Sequence, residues 1–234
     1  VWKLPAAAQW VNYKKAWNSI GISRSLLNTL IVVGSSMVLG ISLTTMNAYA
    51  FTRLKWRNKG IIWSIIMLSL YLPGVNALVP QYIIMRTLHL TNSLGGLIIL
   101  YSLGQNVFDL MVLGSFMQTI PKELEESAFM DGATVYKVFK KIIVPLSVPG
   151  IVTIAIFKFI TLHNDFLGPF IYLGDEKYHT IGVNMYYANQ LMQYKADWVS
   201  LCAGIIITMI PTIIVYILFQ KRIVEGATLG AIKG

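Results

Sequence analysis

The sequence contains few charged residues and almost no cysteine. Charged residues make up 12% of the 234 residues, while hydrophobic residues make up 56%, and a soluble domain of this length needs more polar residues to cover its surface. The same composition excludes intrinsic disorder, which requires low hydrophobicity. Cys202 is the only cysteine, so the chain cannot form an internal disulfide. The sequence also lacks a Cys/His metal set and a phosphate-binding glycine-rich loop. The class that remains is an integral membrane protein.

The chain carries an excess of positive charge, with 19 Lys and Arg against 10 Asp and Glu and a net charge of +9. In a soluble protein this excess would indicate nucleic-acid binding. In a membrane protein it is typical of cationic loops that lie against anionic lipid headgroups. We therefore expect the partner of this charge to be the lipid bilayer and not a nucleic acid.

Five segments are apolar enough to cross a bilayer as helices, which takes about 20 residues each. They cover residues 25–51, 61–85, 94–117, 150–173 and 199–219. We therefore predict an all-α fold, a polytopic membrane helical bundle with five visible spans. Residues 25–234 form its transmembrane domain, and residues 1–24 form an N-terminal segment outside the membrane.

The basic residues of the loops predict which side of the membrane each loop faces. Residues 52–60, the loop 118–149 and the tail after Phe219 carry four, four and three Lys and Arg. Because loops rich in Lys and Arg stay in the cytoplasm, we place these three segments inside. Residues 1–24 then lie outside despite their own four basic residues, and we expect a further helix upstream that delivers them there.

The loop 118–149 has the pattern of two short helices joined by a tight turn. Pro121 is typical of a first helical turn, where its missing N–H costs nothing. Three acids follow it: Glu123, Glu125 and Glu126. Acids at this point suit the positive end of a helix dipole. Asp131 and Gly132 then form a turn signal.

A second helix is predicted after this turn. Thr134 can cap it, and five apolar residues recur on one face at helical spacing. They are Val135, Val138, Phe139, Ile142 and Ile143. Lysines occupy the opposite face, and Pro145 and Pro149 end the helix before the fourth span. The element is therefore amphipathic and lies flat under the membrane, either against a partner protein or against its own chain and lipid headgroups.

Residues 126–133 (ESAFMDGA) and 142–145 (IIVP) resemble the EAA signature of ABC importer permeases. That signature reads Glu-Ala-Ala, then Asp-Gly two residues on, then Ile-x-Leu-Pro after nine more residues. The spacing here fits without a gap. Ser127 replaces an alanine and Val144 replaces the leucine, and both are small or apolar substitutions that keep the packing.

The resemblance to maltose-type carbohydrate importers, which depend on a binding protein, covers nearly the whole chain. The matching segments are residues 27–30, Pro73 and Gly74, Pro80, residues 90–96, residues 120–124, residues 164–166 with Pro169, and residues 226–234. Members of the family usually have six spans. The resemblance therefore implies that the first span is missing from this sequence.

The resemblance implies a transport subunit and not an enzyme. Such a permease lies in the inner membrane of a bacterium or archaeon, pairs with a second homologous permease and binds two ATPase subunits. A solute-binding protein delivers the sugar or oligosaccharide. ATP and Mg²⁺ bind to the ATPase subunits, and the permease itself needs no cofactor or metal. The EAA loop docks on the ATPase, which gives this role to Glu126, Ser127, Ala128, Asp131 and Gly132.

Polar residues within the apolar spans are candidates for the translocation path, because a charge at the bilayer centre is costly and normally faces protein or water. The candidates are Asn164, Asp165, Asp109 and Asn106. Asn164 and Asp165 also match a family motif. Two structural alternatives stay open: Asp165 braces a chain break before Gly168, and Lys158 pairs with an acid of the partner permease.

The predicted external loop 174–198 is rich in aromatic and amide side chains. They include Tyr186, Tyr187, Asn189, Gln190 and Tyr194. Such side chains suit both sugars and protein interfaces, and the resemblance implies contact with the binding protein. The alternative is an aromatic belt at the membrane surface, which we favour for Trp198.

Three other functions are compatible with parts of the sequence. One is an ABC permease for a solute other than a sugar, and a second is a secondary transporter or channel that needs no ATPase. The third is a membrane enzyme with Asp109, Asp165 or His163 in its active site, although no set of nucleophile, base and orienting residue can be placed from the sequence.

Overall fold

The computed structural model describes residues 9–71, 77–104 and 107–231, with side chains described up to residue 220. The described residues form helices and no strands, which confirms the predicted all-α class. The helices of the first half are α1 (Val11–Ile20), α2 (Ile22–Thr52), α3 (Lys59–Leu68), α4 (Leu78–Thr87), α5 (Leu94–Leu103) and α6 (Val107–Gln118). Those of the second half are α7 (Glu123–Met130), α8 (Val135–Val138), α9 (Val144–Leu146), α10 (Val148–His163), α11 (Leu167–Tyr172), α12 (Ile181–Lys195) and α13 (Trp198–Ala231).

Helix α2 lies at the centre of the bundle and contacts α5, α6 and α10. One of its faces consists of small buried residues four apart in sequence, namely Ser36, Gly40, Thr44 and Ala48. Residues four apart share one face of a helix, and small side chains there let neighbouring helix backbones come close. The Thr44 hydroxyl donates within the helix to the Gly40 carbonyl oxygen at 2.9 Å. The face therefore packs closely without leaving the Thr44 hydroxyl unpaired.

Three buried apolar clusters hold the helices together. The cluster near the C-terminal end of α2 joins Tyr49 to Leu113 of α6 and to Ile143, in the π-helical turn Phe139–Ile143 between α8 and α9. Another joins Val32 of α2 to Leu97 of α5 and to Tyr172 and Leu173 beside α11. The third lies at the start of α2 and contains Ile22, Ile181 and Leu201. Within a bilayer, close van der Waals packing of such side chains stabilises the contacts between the helices.

The N-terminal helix α1 packs on α13 and α12. Its residues Ala16 and Ile20 are buried, and Lys15 Nζ lies 2.7 Å from Asp197 Oδ2. Gly21 joins α1 to α2 with a φ of +69°, a conformation that glycine adopts without steric cost. The segment predicted to lie outside the membrane is thus helical from residue 11 and is attached to the bundle.

Two described helices are long and apolar enough to cross a membrane by themselves: α2, and α13 from Trp198 to Gln220. Two bent pairs also qualify if each is a single span. One joins α5 and α6 at 49°, and the other joins the segment Val135–Leu146 to α10 at 71°. The predicted spans 25–51, 94–117 and 199–219 coincide in position with α2, the α5–α6 pair and α13. The total of five spans stays a prediction.

The other two predicted spans are interrupted in the structure. Predicted span 61–85 corresponds to α3 with its 3₁₀ turn Ser69–Tyr71 and to α4, while Pro73 and Gly74 lie outside the described residues. Predicted span 150–173 corresponds to α10, which ends at His163, and to α11, which begins at Leu167. The intervening residues leave the helix, and this break positions part of the candidate site.

Candidate functional site

The turn after α7 has the hydrogen bonds of a Schellman motif, which closes a helix at its C-terminus. The Gly132 N–H donates to the Phe129 carbonyl oxygen at 3.0 Å, and the Ala133 N–H donates to that of Ala128 at 2.9 Å. Gly132 has a φ of +77°, and a Cβ added to it would meet no atom within 4 Å. The position therefore requires glycine for its backbone conformation and not for lack of space.

The predicted docking residues lie along this helix and its turn. Glu126, Ser127, Asp131 and Gly132 are exposed, and Ala128 is half-buried. Met130 beside them is 89% exposed. An exposed row of acidic, small and apolar residues next to a rigid turn can be covered by a partner protein.

The second predicted helix forms after the turn, as two short α-helices around a π-helical stretch. Thr134 caps α8 as predicted, because its hydroxyl oxygen accepts from the Lys137 N–H at 3.3 Å. Of the predicted apolar stripe, Val138 and Ile143 are buried. Phe139 and Ile142 are partly buried in the same cluster, whereas Val135 is 45% exposed. The stripe thus packs against the protein's own bundle.

Glu125 is the buried residue of α7, and sequence reasoning assigned it only a place near the helix dipole. Its Oε1 lies 3.2 Å from Arg53 Nη1, and the two side chains are 9% and 4% exposed. Tyr49 Oη donates to Glu125 Oε2 at 3.4 Å. Arg53 Nη2 donates to the carbonyl oxygens of Met117 and Ile120 at the end of α6. No local signal could have revealed this cluster, because its members come from distant parts of the chain.

A cleft of about 350 Å³ with several polar side chains opens within the bundle between α4, α5, α6, α10 and α11. It contains two of the predicted path residues, Asp109 and Asp165, together with Lys158, Gln81 and Tyr101. Hydroxyl, amide and charged groups in one cleft can hydrogen-bond a polar solute. The cleft is the strongest candidate for a translocation path among the described residues.

Lys158 pairs with an acid of its own chain. Its Nζ lies 3.9 Å from Asp109 Oδ2, and both side chains are almost fully buried. A Cβ on Gly40 of α2 would come within 2.9 Å of the Lys158 Cε and Nζ atoms. The glycine in the central helix therefore leaves the room that this lysine occupies.

Asp165 braces the break between α10 and α11. It accepts a hydrogen bond from the Tyr101 hydroxyl, and its Oδ1 accepts from the Gly168 N–H at 3.4 Å. Asp165 thus ties α5 to the start of α11, in agreement with the bracing role that the sequence left open for it. Its place in the cleft is compatible with a path role as well.

The predicted path residues do not converge on one point. Asn164 directly follows the last residue of α10 and is exposed. It lines a different cleft of about 400 Å³ with His163 and Thr212. The Thr212 Oγ1 and His163 Nδ1 atoms are 3.2 Å apart in that cleft. Asn106 lies outside the described residues.

The predicted external loop contains α12, and its candidate residues differ in exposure. Tyr186 and Tyr187 are 38% and 48% exposed and pack on Phe170. Asn189 is half-buried and its Oδ1 accepts from Gln193 Nε2 at 3.0 Å, while Gln190 is exposed. Tyr194 is 91% exposed. Tyr194 and Gln190 are therefore the two candidates most accessible to another protein.

A histidine lies beneath these tyrosines. The His179 ring stacks on Tyr187 with a centroid distance of 5.1 Å, and burial lowers the pKa of His179. The Asn28 Nδ2 of α2 donates to the His179 carbonyl oxygen at 3.0 Å and to that of Lys177 at 2.9 Å. The loop is thereby fixed to the outer part of α2.

Curated relatives match almost the whole chain. The probable ABC transporter permease protein YurM of Bacillus subtilis is 34% identical over 100% of this chain and 77% of its own length. The trehalose transport system permease protein SugB of Mycobacterium tuberculosis is 32% identical over 99% of this chain and 84% of its own length. The diacetylchitobiose uptake system permease protein NgcG of Streptomyces coelicolor is 31% identical over 98% and 76%.

The fold is shared with a chain of a bacterial ABC transporter involved in the import of the acidic polysaccharide alginate. That chain superposes with a TM-score of 0.80 at 22% identity, over 94% of this chain and 82% of its own. The model of a protein family described as the binding-protein-dependent transport system inner membrane component matches residues 22–226. This match confirms the resemblance seen in the EAA loop and separates the chain from secondary transporters, channels and membrane enzymes. The chain belongs to this family, the inner-membrane permease subunits of ABC importers.

Proposed function

We propose that this chain is one of two permeases in an ATP-driven importer of a sugar or oligosaccharide. The observation that carries the proposal is that two relatives, which match 99% and 98% of the chain, are named for the transport of trehalose and diacetylchitobiose. Membership of the family supplies the coarser part: an inner-membrane subunit that works with a binding protein, ATPase subunits and a second permease.

The proposed assembly has one copy of this chain, one homologous permease, two ATPase subunits and one extracytoplasmic binding protein. ATP and Mg²⁺ bind to the ATPase subunits, and this chain uses no cofactor or metal. The contribution of this chain to transport is a conformational change of its helices. Closure of the ATPases on ATP displaces the bound helices as rigid bodies and switches access from one side of the membrane to the other.

The ATPase docks on α7 and its turn, through Glu126, Ser127, Ala128, Asp131 and Gly132. Support comes from the exposure of this row, from the rigid Schellman closure, and from the EAA pattern. The Glu126 carboxylate can accept a charge-assisted hydrogen bond from a cationic side chain or a backbone N–H of the partner. The left-handed turn at Gly132 fixes the direction in which the helix end points.

The sugar passes along the cleft that contains Asp109, Asp165 and Tyr101. Sugars present hydroxyl groups and apolar ring faces, which carboxylates and aromatic rings recognise together. Asn164, at the break after α10, belongs to the same proposal, as does Asn106, which lies outside the described residues. The binding protein meets the outer surface of α12 at Tyr186, Tyr187, Asn189, Gln190 and Tyr194.

Reconstituted transport tests this function. The complete importer is assembled in proteoliposomes with its partner permease, its ATPases and its binding protein, and uptake is measured for a panel of labelled mono- and oligosaccharides. ATP-dependent uptake of at least one sugar, absent when the ATPase cannot hydrolyse ATP, is the expected result. ATP-dependent uptake of a polyol or peptide with no uptake of any sugar would overturn the substrate class, and uptake without ATP would overturn the coupling.

A further inference from the structure

We infer that Arg53 and Glu125 act as positioning residues that clamp α7 to the ends of α2 and α6, so that a displacement of α7 moves both helices together. The inference rests on the proposed function, in which the ATPase displaces α7. It names the contact inside this chain that passes the displacement on. We refer to these two residues as the clamp.

The clamp joins three separate elements. Arg53 follows directly after the last residue of α2, and Glu125 lies in the first turn of α7. The Arg53 Nη1 atom is 3.2 Å from Glu125 Oε1, while Nη2 donates to the carbonyl oxygens of Met117, in the last turn of α6, and of Ile120, two residues after α6 ends. A guanidinium group is planar and carries several fixed donors, so one arginine holds α6 and α7 in a single geometry.

The clamp is shielded from water, and a neighbouring tyrosine contacts it. The Arg53 and Glu125 side chains are only 4% and 9% exposed, and an ion pair withdrawn from water is maintained only if its geometry is good and other groups assist. Tyr49, one turn back on α2, provides such a group by donating to Glu125 Oε2 at 3.4 Å. Its ring also lies 5.1 Å from that of Phe139, between α8 and α9. Helix α7 and the π-helical turn after α8 are therefore both fixed to the C-terminal end of α2.

The two faces of α7 have different partners. Glu125 points into the protein and its neighbour Glu126 is exposed. Adjacent residues of a helix lie about 100° apart around its axis, so one short helix can bind the ATPase outside and the clamp inside. A force on the exposed face consequently acts on α2.

Helix α2 leads from the clamp to Lys158, a lining residue of the cleft. It is continuous from Ile22 to Thr52, and its residue Gly40 lies against Lys158, which pairs with Asp109 of α6. Of the two helices held by the clamp, α6 lines the proposed sugar path through Asp109, and α2 contacts its lining residue Lys158. A rigid connection of this kind converts a shift at the inner surface into a change of the cleft's shape.

The test compares the coupling ratio, the sugar transported per ATP hydrolysed, for the reconstituted importer with Glu125→Gln, Arg53→Met and the double variant. We expect each to lower this ratio by about tenfold, the scale of a typical coupling free energy between two sites, while the ATPase still co-purifies. Arg57→Met is the matched control, because Arg57 is an exposed arginine in the same loop. We expect that control to keep the wild-type ratio.

The double variant separates coupling from stability. Replacing both members of a buried ion pair by neutral groups is often neutral for folding, whereas removing one leaves an unpaired buried charge. We therefore expect the double variant to be more stable to heat than Arg53→Met, which leaves Glu125 as an unpaired buried charge, but to keep its lowered coupling ratio. A double variant that recovers the wild-type coupling ratio, or single variants that keep that ratio, would overturn the clamp. A wild-type complex without ATP-dependent sugar uptake would instead contradict the proposed function.

Discussion

At the scale of single residues, two glycines are needed for different reasons: one leaves room for a neighbouring side chain, and the other allows an unusual backbone conformation. Gly132 belongs to the second kind, because its φ is +77° and a Cβ would touch nothing. Gly40 belongs to the first, because a Cβ would reach the Lys158 ammonium group. The same amino acid thus has two physical roles, and each predicts a different tolerance to substitution.

Gly132→Val should weaken binding of the ATPase. A β-branched residue in the left-handed conformation costs about 1–2 kcal/mol, which lowers the ratio of folded to unfolded turn by about five- to thirty-fold. We expect co-purification of the ATPase with the permease complex to fall accordingly.

Gly132→Asn is the control for this substitution. Asparagine enters the left-handed region much more readily than other non-glycine residues, so it should retain most of the bound ATPase. Equal retention by the valine and asparagine variants would contradict a conformational role for Gly132.

Gly40→Leu should destabilise the bundle and reduce uptake. The new side chain displaces Lys158 from Asp109 and meets the Ser102 backbone of α5, whose Cα lies 3.6 Å from the position that a Cβ on Gly40 would take. Overpacking of this kind costs about 1–3 kcal/mol, and the thermal midpoint in detergent should fall.

Gly34→Leu provides a matched comparison on the same helix, because a Cβ at Gly34 would meet no atom within 4 Å. It should leave the thermal midpoint close to that of the wild type. If the Gly34 and Gly40 variants lose stability equally, the cause is leucine in α2 as such and not the contact with Lys158.

At the scale of secondary-structure elements, local signals in the sequence located what depends on neighbouring residues. The Asp131-Gly132 turn and the Thr134 cap are where the sequence placed them, because turns and caps are built from backbone groups within a few residues. The clamp and the Lys158–Asp109 pair could not be predicted, because each joins residues on different helices and no periodicity encodes which helices meet.

The break after α10 is predictable only in part, because the sequence left a break braced by Asp165 as one alternative but did not identify the partner on another helix. By hydropathy, residues 150–173 form one apolar segment, but in the structure α10 ends at His163 and α11 begins at Leu167. The interruption is held by Asp165, whose partners are Tyr101 on another helix and the nearby Gly168 N–H. The tertiary contact therefore decides where the helix ends.

The contact between α1 and α13 should depend on pH. Hydrogen bonding to Lys15, followed by that to Ser200, lowers the pKa of Asp197. A carboxylate with a lowered pKa contributes stability above its unfolded pKa of about 3.9, and this contribution is lost as the pH falls through the folded-state pKa. Asp197→Asn should therefore speed hydrogen exchange of the α1 amides at pH 7, and the difference from the wild type should shrink as the pH falls through the folded-state pKa of Asp197.

Two lysines of α1 allow a control for this prediction. Lys15→Met should reproduce the effect of the Asp197 variant at pH 7, because Lys15 Nζ lies 2.7 Å from the carboxylate. Lys14→Met removes the same charge from an exposed neighbour with no ion pair among the described residues. Faster exchange in both lysine variants would point to the overall charge of α1 instead of the ion pair.

At the scale of the whole molecule, the charge asymmetry and the position of α7 lead to the same orientation. The clamp places α7 at the C-terminal end of α2, beside the basic loop of residues 52–60. The contacts of Asn28 place residues 177–179 near the N-terminal end of α2. Because α2 is long enough to cross the membrane, the α7 loop and the α12 loop lie at opposite ends of one spanning helix.

This orientation predicts which positions a membrane-impermeant thiol reagent can reach in intact cells. Cysteines are introduced one at a time in a Cys202→Ser background, which removes the only native thiol. We expect labelling of Tyr194→Cys, in a side chain that is 91% exposed, and no labelling of Tyr136→Cys, 66% exposed beside α7, until the membrane is made permeable. The reverse pattern would put α7 outside the cell, where no ATP-driven subunit can reach it. Labelling of both cysteines without permeabilisation would put α8 and α12 on the same side of the membrane. Either outcome would contradict the orientation on which docking, clamp and transport all depend.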